Sequence, residues 1–249
     1  MDISHIILIL LIIFLGALIR SYFGFGEALV SMPLLSILGL DLNSSISIIG
    51  LAGLVVALIY TTKEFENINY NALIIMLVSS LIGVPIGIYI LNHFNINVIQ
   101  KLLAVALILY GFTTFFKRLF FKFQNKIELE SKFWTALAGL ISGILGSLYN
   151  THGVPIVIYG AMSKYDLKDF KNTIQAHFLL TSIFVVLGQA TGNIWTNDTL
   201  PIFFMSMPFL IIATYLGKYL VNKTSNHNFE IWVFLMIAIL GSLMLYTTI

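Results

Sequence analysis

Two short stretches, residues 24–33 and 146–155, interrupt an otherwise apolar sequence with groups that can bind or carry charge. Each contains glycines, each ends in a proline, and each lies near the start of its own half of the chain. Paired breaks at corresponding places in two halves point to the substrate site of a transporter. Non-helical backbone at membrane depth is tolerated only where protein or a water-filled cavity satisfies it.

The glycines of the two breaks predict backbone turns that a ligand can approach closely. Helix N-termini facing the breaks would present free N–H groups and a positive dipole end to an anion. The alternative is that the glycines only permit tight helix packing. The glycines are Gly24, Gly26, Gly146 and Gly153.

Glu27 is the one acidic residue inside an apolar segment. Because an intramembrane carboxylate is costly and usually functional, we expect Glu27 to contact substrate or carry a proton. The alternative is a carboxylate that caps the following helix. Arg20, just before the break, has the planar fork that binds oxyanions, but we expect it to extend to the membrane interface.

The second break carries neutral polar groups in place of the carboxylate. Asn150, Thr151 and His152 can donate hydrogen bonds to an oxyanion, and Tyr149 can add its hydroxyl. His152 can also carry a proton at neutral pH, which makes it a second candidate for proton coupling beside Glu27. The alternative is a polar turn in a loop.

Two further polar residues, Gln175 and His177, lie in the middle of a later apolar segment. Residues two apart do not share a helix face, so both cannot point into one narrow site. His177 continues a polar stripe with Thr173 and Thr181. The stripe predicts either the lining of a pathway or a hydrogen-bonded helix seam, and both residues are candidates for substrate contact.

Composition fixes the class of protein that must position these residues. The chain is 59% hydrophobic and 10% charged, with a mean hydropathy of +0.97, whereas a soluble domain carries about 25% charged residues. It is therefore an all-α polytopic membrane protein. The net charge of +2 gives no sign of nucleic-acid binding, and the absence of cysteine excludes thiolate chemistry. The residues form no metal-ligand spacing and no cofactor motif.

Ten apolar segments follow one another, and their order repeats as long, break, short, long, long, long. Segments two and seven are shorter than the roughly 20 residues that a spanning helix needs, so they predict half-helices or arms of re-entrant hairpins. The segments are 5–22, 27–40, 44–62, 70–91, 97–116, 132–146, 153–163, 168–191, 199–221 and 229–248. The predicted organisation is a first repeat over 1–116, a polar linker over 117–131 and a second repeat over 132–249.

Charge predicts the topology. With five segments per repeat, the loops near residue 63 and over 117–132, 163–171 and 218–223 share one side and hold every lysine and arginine except Arg20 and Lys101. This bias places the linker in the cytoplasm and both termini outside. An odd number of segments inverts one repeat relative to the other, which predicts two inverted-topology repeats in the plasma membrane.

The sequence around both breaks resembles the TauE/SafE sulfite-exporter family. The first signature is SYFGFGEALVSMPLL at 21–35, and the second is GLISGILG at 139–146 followed by VPIVIY at 154–159, with TIQAHF at 173–178 on the next segment. Residues 148–152 stand where the family commonly has small residues. The resemblance implies proton-driven export of small sulfur-containing anions, such as sulfite or organosulfonates.

These observations predict a transporter that binds an anion where the two breaks meet and moves it by alternating access, with protons and the bilayer as its other partners. An uncoupled anion or carboxylate channel is the first alternative, and a structural subunit is another. An intramembrane enzyme would need Glu27 with His152 or His177 as its catalytic pair, and we predict that the protein is not an enzyme. The oligomeric state stays open, with a homodimer among the alternatives.

Overall fold

The computed structural model describes residues 2–61, 68–120, 129, 131–163, 167–223, 234–235, 238–239 and 241–246. Within these ranges the chain is helical and has no β-strand, which confirms the predicted fold class. The helices are α1 (Ile3–Phe23), α2 (Glu27–Ile37), α3 (Leu42–Thr61), α4 (Tyr70–His93), α5 (Ile96–Phe120), α6 (Lys132–Tyr149), α7 (Gly153–Met162), α8 (Leu167–Thr191) and α9 (Thr199–Lys223). Most of the predicted linker, 121–128 and 130, lies outside the described residues, as does part of the tenth segment.

Five of the described helices are long and apolar enough to cross a membrane: α1, α3, α4, α8 and α9. The chain is a multi-pass membrane protein. The helices α2 and α7 have 11 and 10 residues, so each is only about 16 Å long at ~1.5 Å per residue. That length is about half of the ~30 Å hydrocarbon core, which confirms that segments two and seven are short.

The short helix of the first half folds back along the helix before it. The Ser31 hydroxyl of α2 donates to the carbonyl of Ile12 in α1 at 3.4 Å. A Cβ added at Gly16 would overlap the Ser31 side chain, so glycine at this position lets α1 and α2 approach closely. The second short helix, α7, packs against α6 in the same chain order.

Helices from the two halves pack against each other in matching pairs. The helix α4 contacts α6 and α8, while α9 contacts α1 and α3. The two larger interfaces are α4 with α6 and α9 with α1. In each of them a glycine allows the helices to approach closely, because it has no side chain to separate them. Gly87 of α4 lies against Ile144 and Ser147 of α6, and Gly217 of α9 lies against Leu18 and Ser21 of α1.

Hydrogen bonds through hydroxyl groups join two of the same helix pairs, α3 with α9 and α8 with the start of α4. The Ser47 hydroxyl of α3 lies 2.7 Å from that of Thr199 at the start of α9. The Thr173 hydroxyl of α8 accepts the backbone N–H of Asn69, just before α4, at 2.9 Å. The two halves therefore share one packing scheme, and their relative orientation in the membrane stays a prediction.

Candidate functional site

The first break turns through two residues in the left-handed region, Gly24 with φ 83° and Gly26 with φ 101°. This conformation favours glycine because it has no Cβ. The Gly24 N–H donates to the Arg20 carbonyl at 2.7 Å and ends α1, and Gly26 precedes α2. Arg20, in the last turn of α1, and Glu27, the first residue of α2, therefore meet across the break.

These two residues form a buried ion pair. The Arg20 Nη1 group donates to Glu27 Oε1 at 2.5 Å, and each residue is 4% exposed. The expectation that Arg20 extends to the membrane interface is wrong, because Glu27 holds its guanidinium inside the protein. The alternative of Glu27 as a helix cap is also wrong, since one carboxylate oxygen pairs with Arg20 and the other has no hydrogen-bond partner among the described residues. Removal of one partner from such a pair costs about 3–5 kcal/mol, because it strands a buried charge.

The second break is built on Asn150, which has φ 56° and ψ 23°. Its N–H donates to the Gly146 carbonyl at 2.8 Å, so Asn150 ends α6 as Gly24 ends α1. Asparagine is among the few residues with a Cβ that adopt this left-handed conformation readily. The chain turns through Thr151 and His152, and α7 begins at Gly153.

The two breaks touch. A Cβ added at Gly153 would lie 3.1 Å from both the Cβ of Phe25 and the ring of Phe178. Glycine at this position therefore lets the start of α7 approach the first break. Together the breaks enclose a cavity of about 20 Å³, which is room for about one water molecule.

The residues that line this cavity come from the breaks, the first turns of α2 and α7, and α8. In the described structure neither α2 nor α7 has a side-chain hydrogen bond at its N-cap, so the first N–H groups of α2 are available to a ligand. In α7 the Gly153 N–H is available, whereas the Val154 N–H donates to the Thr151 carbonyl at 3.3 Å and residue 155 is a proline, which has no N–H. The lining residues are Arg20, Phe25, Gly26, Glu27, Ala28, Leu29, Asn150, Thr151, His152, Gly153, Val154 and Phe178. One cation, one carboxylate and two helix N-termini thus face one space.

A comparison with known families places the chain in one of them. The family model of the sulfite exporter TauE/SafE matches residues 8–244, which is nearly the whole chain. The chain belongs to this family. The TauE/SafE family is a family of membrane transporters, and its description names sulfite export. No curated protein and no solved structure is detectably similar to the chain.

In this TauE/SafE protein the Asn150 side chain connects the second break to α3 and α8. Its Nδ2 donates to the Ile46 carbonyl at 2.6 Å, and its Oδ1 accepts from Gln189 Nε2 at 3.1 Å. A Cβ at Gly50 would come within 2.5 Å of Gln189 Oε1 and 2.9 Å of Asn150 Oδ1, so a glycine in α3 makes room for both amides. Asn150 therefore has a structural role as well as a place in the cavity wall.

His152 lies at the boundary between the cavity and α8. Its Nε2 is 3.4 Å from the Ser182 hydroxyl, and its ring meets that of Phe178 edge to face at 5.3 Å between centroids. The Nδ1 atom is buried and has no hydrogen-bond partner in the part of the chain that the structure describes. Next to it, Thr151 lines the same cavity and donates its hydroxyl to the Leu145 carbonyl at 3.3 Å. Both residues therefore border the cavity.

Gln175 and His177 of α8 take different directions, as expected from their spacing. Gln175 Nε2 donates to the Gly24 carbonyl at 3.1 Å and so contacts the first break. His177 Nε2 lies 3.0 Å from the Ser80 hydroxyl of α4 and 3.1 Å from that of Thr181. The polar stripe at His177 is thus a hydrogen-bonded seam between α8 and α4, and His177 is not among the residues that line the cavity.

Tyr149 is placed in the packed interior. Its side chain is fully buried and belongs to the main hydrophobic core, although it directly precedes the second break. Its hydroxyl has no hydrogen-bond partner within the described ranges. Tyr149 is not among the lining residues, so its predicted contact with substrate would require the break to move.

Sequence reasoning missed two residues of the site. Gln189 is fully buried and supports Asn150, but one glutamine near the end of a long apolar segment carries no signal of its own. Arg20 did leave a signal, because it and Glu27 are the two charged residues that flank the first break within apolar sequence. Two opposite charges at the ends of one turn inside the membrane favour an ion pair, because each charge alone would be costly to bury.

Proposed function

We propose that this TauE/SafE protein exports small sulfur-containing anions, sulfite or organosulfonates, by proton-coupled alternating access. The observation that carries the proposal is a cavity that both breaks line, with Arg20 and the first turns of α2 and α7 in its wall. Anions are stabilised by the N–H groups and dipoles of helix N-termini and by the planar donors of an arginine.

The chemistry of the wall suits a compact oxyanion with several oxygens. Arg20 Nη2 and His152 Nδ1 are buried polar atoms to which the described structure gives no hydrogen-bond partner. Sulfite and sulfonates each present three oxygens, so one anion can accept bonds from side chains and from backbone N–H groups at the same time. Unpartnered buried polar groups are costly, which favours a ligand that satisfies them.

The size of the cavity supports a gated mechanism. About 20 Å³ holds about one water molecule, so a four-atom anion enters only when α2 and α7 move apart. Each short helix is joined to the long helix before it by a left-handed turn, so it can pivot there without unfolding the long helices. An uncoupled channel, the alternative, needs a continuous water-filled path instead.

We assign roles as follows. Gly24, Gly26 and Gly153 shape the backbone around the anion, and Gln175 supports the first break. Asn150, Thr151 and His152 supply polar contacts from the second break. Glu27 carries the coupled proton, with His152 as the second candidate. In the cell we place the protein in the plasma membrane, with the linker in the cytoplasm and both termini outside.

Flux into proteoliposomes tests this proposal. Purified protein is offered sulfite, sulfoacetate, sulfate and a carboxylate, each with and without an imposed pH gradient. We expect saturable uptake of sulfite or the sulfonate that changes with the gradient. Flux that does not saturate and ignores the gradient would favour the channel. No flux of any sulfur anion would remove the substrate class.

A further inference from the structure

The Arg20–Glu27 pair is joined by one hydrogen bond, between one guanidinium nitrogen and one carboxylate oxygen. Arg20 Nη1 meets Glu27 Oε1, whereas Nη2 and Oε2 are buried and have no partner among the described residues. An arginine and a carboxylate normally satisfy each other best through two parallel hydrogen bonds. The pair therefore leaves one guanidinium nitrogen, with its two N–H donors, available inside the protein, and both residues line the cavity.

Among the described residues, α3 and Phe178 lie close to the pair, and the cavity adjoins it. A Cβ at Gly53 would overlap Glu27 Oε1, so the backbone of α3 lies directly against the pair. The Arg20 Cζ atom lies 6.0 Å from the centre of the Phe178 ring of α8. A ligand can therefore reach the guanidinium from the cavity, next to Gly153 and the second break.

Among the described residues, few titratable groups lie near the pair. His152 faces it across the cavity from the second break. His177 lies behind Phe178, where Ser80 and Thr181 hold its Nε2. The α3 surface against the pair is Gly53, which does not titrate. Arg20 is the one permanently charged cation among the twelve residues that line the cavity.

We propose that Glu27 and the transported anion exchange places on Arg20, so that one proton binds with each anion. This inference rests on the proposed function. It adds that one proton binds per anion and that the anion replaces Glu27 as the partner of Arg20. A proton from water binds a Glu27 carboxylate oxygen and neutralises it. The hydrogen bond from Arg20 Nη1 to Oε1 is then replaced by hydrogen bonds from the guanidinium to oxygens of the anion.

The reason for the exchange is electrostatic. A buried guanidinium needs one negative partner, and two negative groups on one guanidinium within a few ångströms repel each other strongly in a medium of low dielectric constant. Without an anion, ionised Glu27 is the partner. With an anion bound, Glu27 is neutral and can donate its new O–H. Proton and anion therefore travel together, so export proceeds only where the outward gradient of the anion exceeds the inward gradient of the proton.

The test measures binding of methanesulfonate to purified protein between pH 5 and pH 9, because this probe keeps its charge throughout. For the unaltered protein we expect the apparent Kd to rise about tenfold per pH unit on the alkaline side, the slope for one linked proton. We also expect about one proton to be taken up per anion bound in weakly buffered solution. If methanesulfonate binds but no proton is taken up at every pH between 5 and 9, the exchange is overturned.

Variants assign the proton to Glu27. Glu27→Gln should bind methanesulfonate with an affinity that changes less than threefold across the same pH range. Asp198→Asn, which removes an exposed acid before α9, is the matched control and should keep the slope of the unaltered protein. A Glu27→Gln protein that keeps the full slope would sink the inference, although its binding would still support the proposed function.

A double variant covers the case in which Glu27→Gln does not fold with an unpaired buried arginine. Arg20→Gln with Glu27→Gln removes both charges at nearly constant volume, so we expect it to fold and to lose methanesulfonate binding at least 100-fold. Folding is checked by size-exclusion profile and helical circular dichroism. Binding retained by the folded double variant would overturn the role of Arg20. Failure of the unaltered protein to bind methanesulfonate or sulfite at every pH would overturn the proposed function itself.

Discussion

Gln175 of α8 donates its side-chain amide to the backbone carbonyl of Gly24, 3.1 Å away. This bond joins the second half of the chain to the turn that shapes the first break. Any movement that displaces Gly24 must therefore break the bond or carry α8 along. Gln175 is in this way a support of the first break as well as a candidate for substrate contact.

The first prediction concerns this bond. Gln175→Leu should lower the free energy of unfolding by about 0.5–1.5 kcal/mol, because it removes the hydrogen bond to the partly buried Gly24 carbonyl. We also expect slower flux of sulfite or sulfonate. Thermal unfolding and proteoliposome flux measure the two effects. Thr191→Val, at an exposed position of the same helix, is the control and should change neither. Unchanged flux and stability in Gln175→Leu would show that the bond has no role.

The second prediction concerns the fit of the Arg20–Glu27 pair against α3. Gly53→Ala places a methyl group where Glu27 Oε1 lies, and we expect a loss of about 1–3 kcal/mol of stability from this overpacking. Flux should fall as well, because the pair has to shift. Adding Glu27→Asp shortens the carboxylate and should recover part of the stability. A Gly53→Ala protein as stable and active as the original would contradict the close packing.

The third prediction separates the backbone role of Asn150 from its side-chain role. Asn150→Gly keeps the left-handed turn at φ 56°, whereas Asn150→Ala strains it. We expect Ala to be less stable than Gly by about 1–2 kcal/mol. Both variants lose the bonds to Ile46 and Gln189, and both should bind anion more weakly. Tight anion binding by Asn150→Gly would leave Asn150 with a turn-forming role alone.

The fourth prediction tests the seam between α8 and α4. His177→Ala and Ser80→Ala should each lower thermal stability, and the double variant should lose less than the sum by about 0.5–3 kcal/mol, since the two residues share one hydrogen bond. The KM for the transported anion should change less than twofold. A large rise in KM with normal stability would instead return His177 to the substrate site.

The sequence predicted the helices and their breaks well, for a physical reason. Helix length and apolar run length are tied together by the thickness of the bilayer, so α2 and α7 stand out as too short. The left-handed turn at Gly24 was also readable, because glycine next to a break favours that conformation. The nine helices given by the described residues start within three residues of the predicted segments.

The directions of individual side chains were harder to predict. Spacing showed that Gln175 and His177 must point apart, but it could not say which of them faced the break, because that depends on the neighbours of α8. The burial of Arg20 was missed for the same reason. Its length allows a guanidinium to reach either the membrane interface or a partner across the turn, and the folded chain selects Glu27.

The buried pair at the first break has a consequence for energetics in the cell. Arg20 and Glu27 together carry no net charge, and a bound monovalent anion with a proton on Glu27 leaves the site equally neutral. Moving one elementary charge through the membrane is worth about 2.3 kcal/mol per 100 mV, but an electroneutral site does no such work. The resting membrane voltage would then neither assist nor oppose this step, and the concentrations on the two sides alone would drive it.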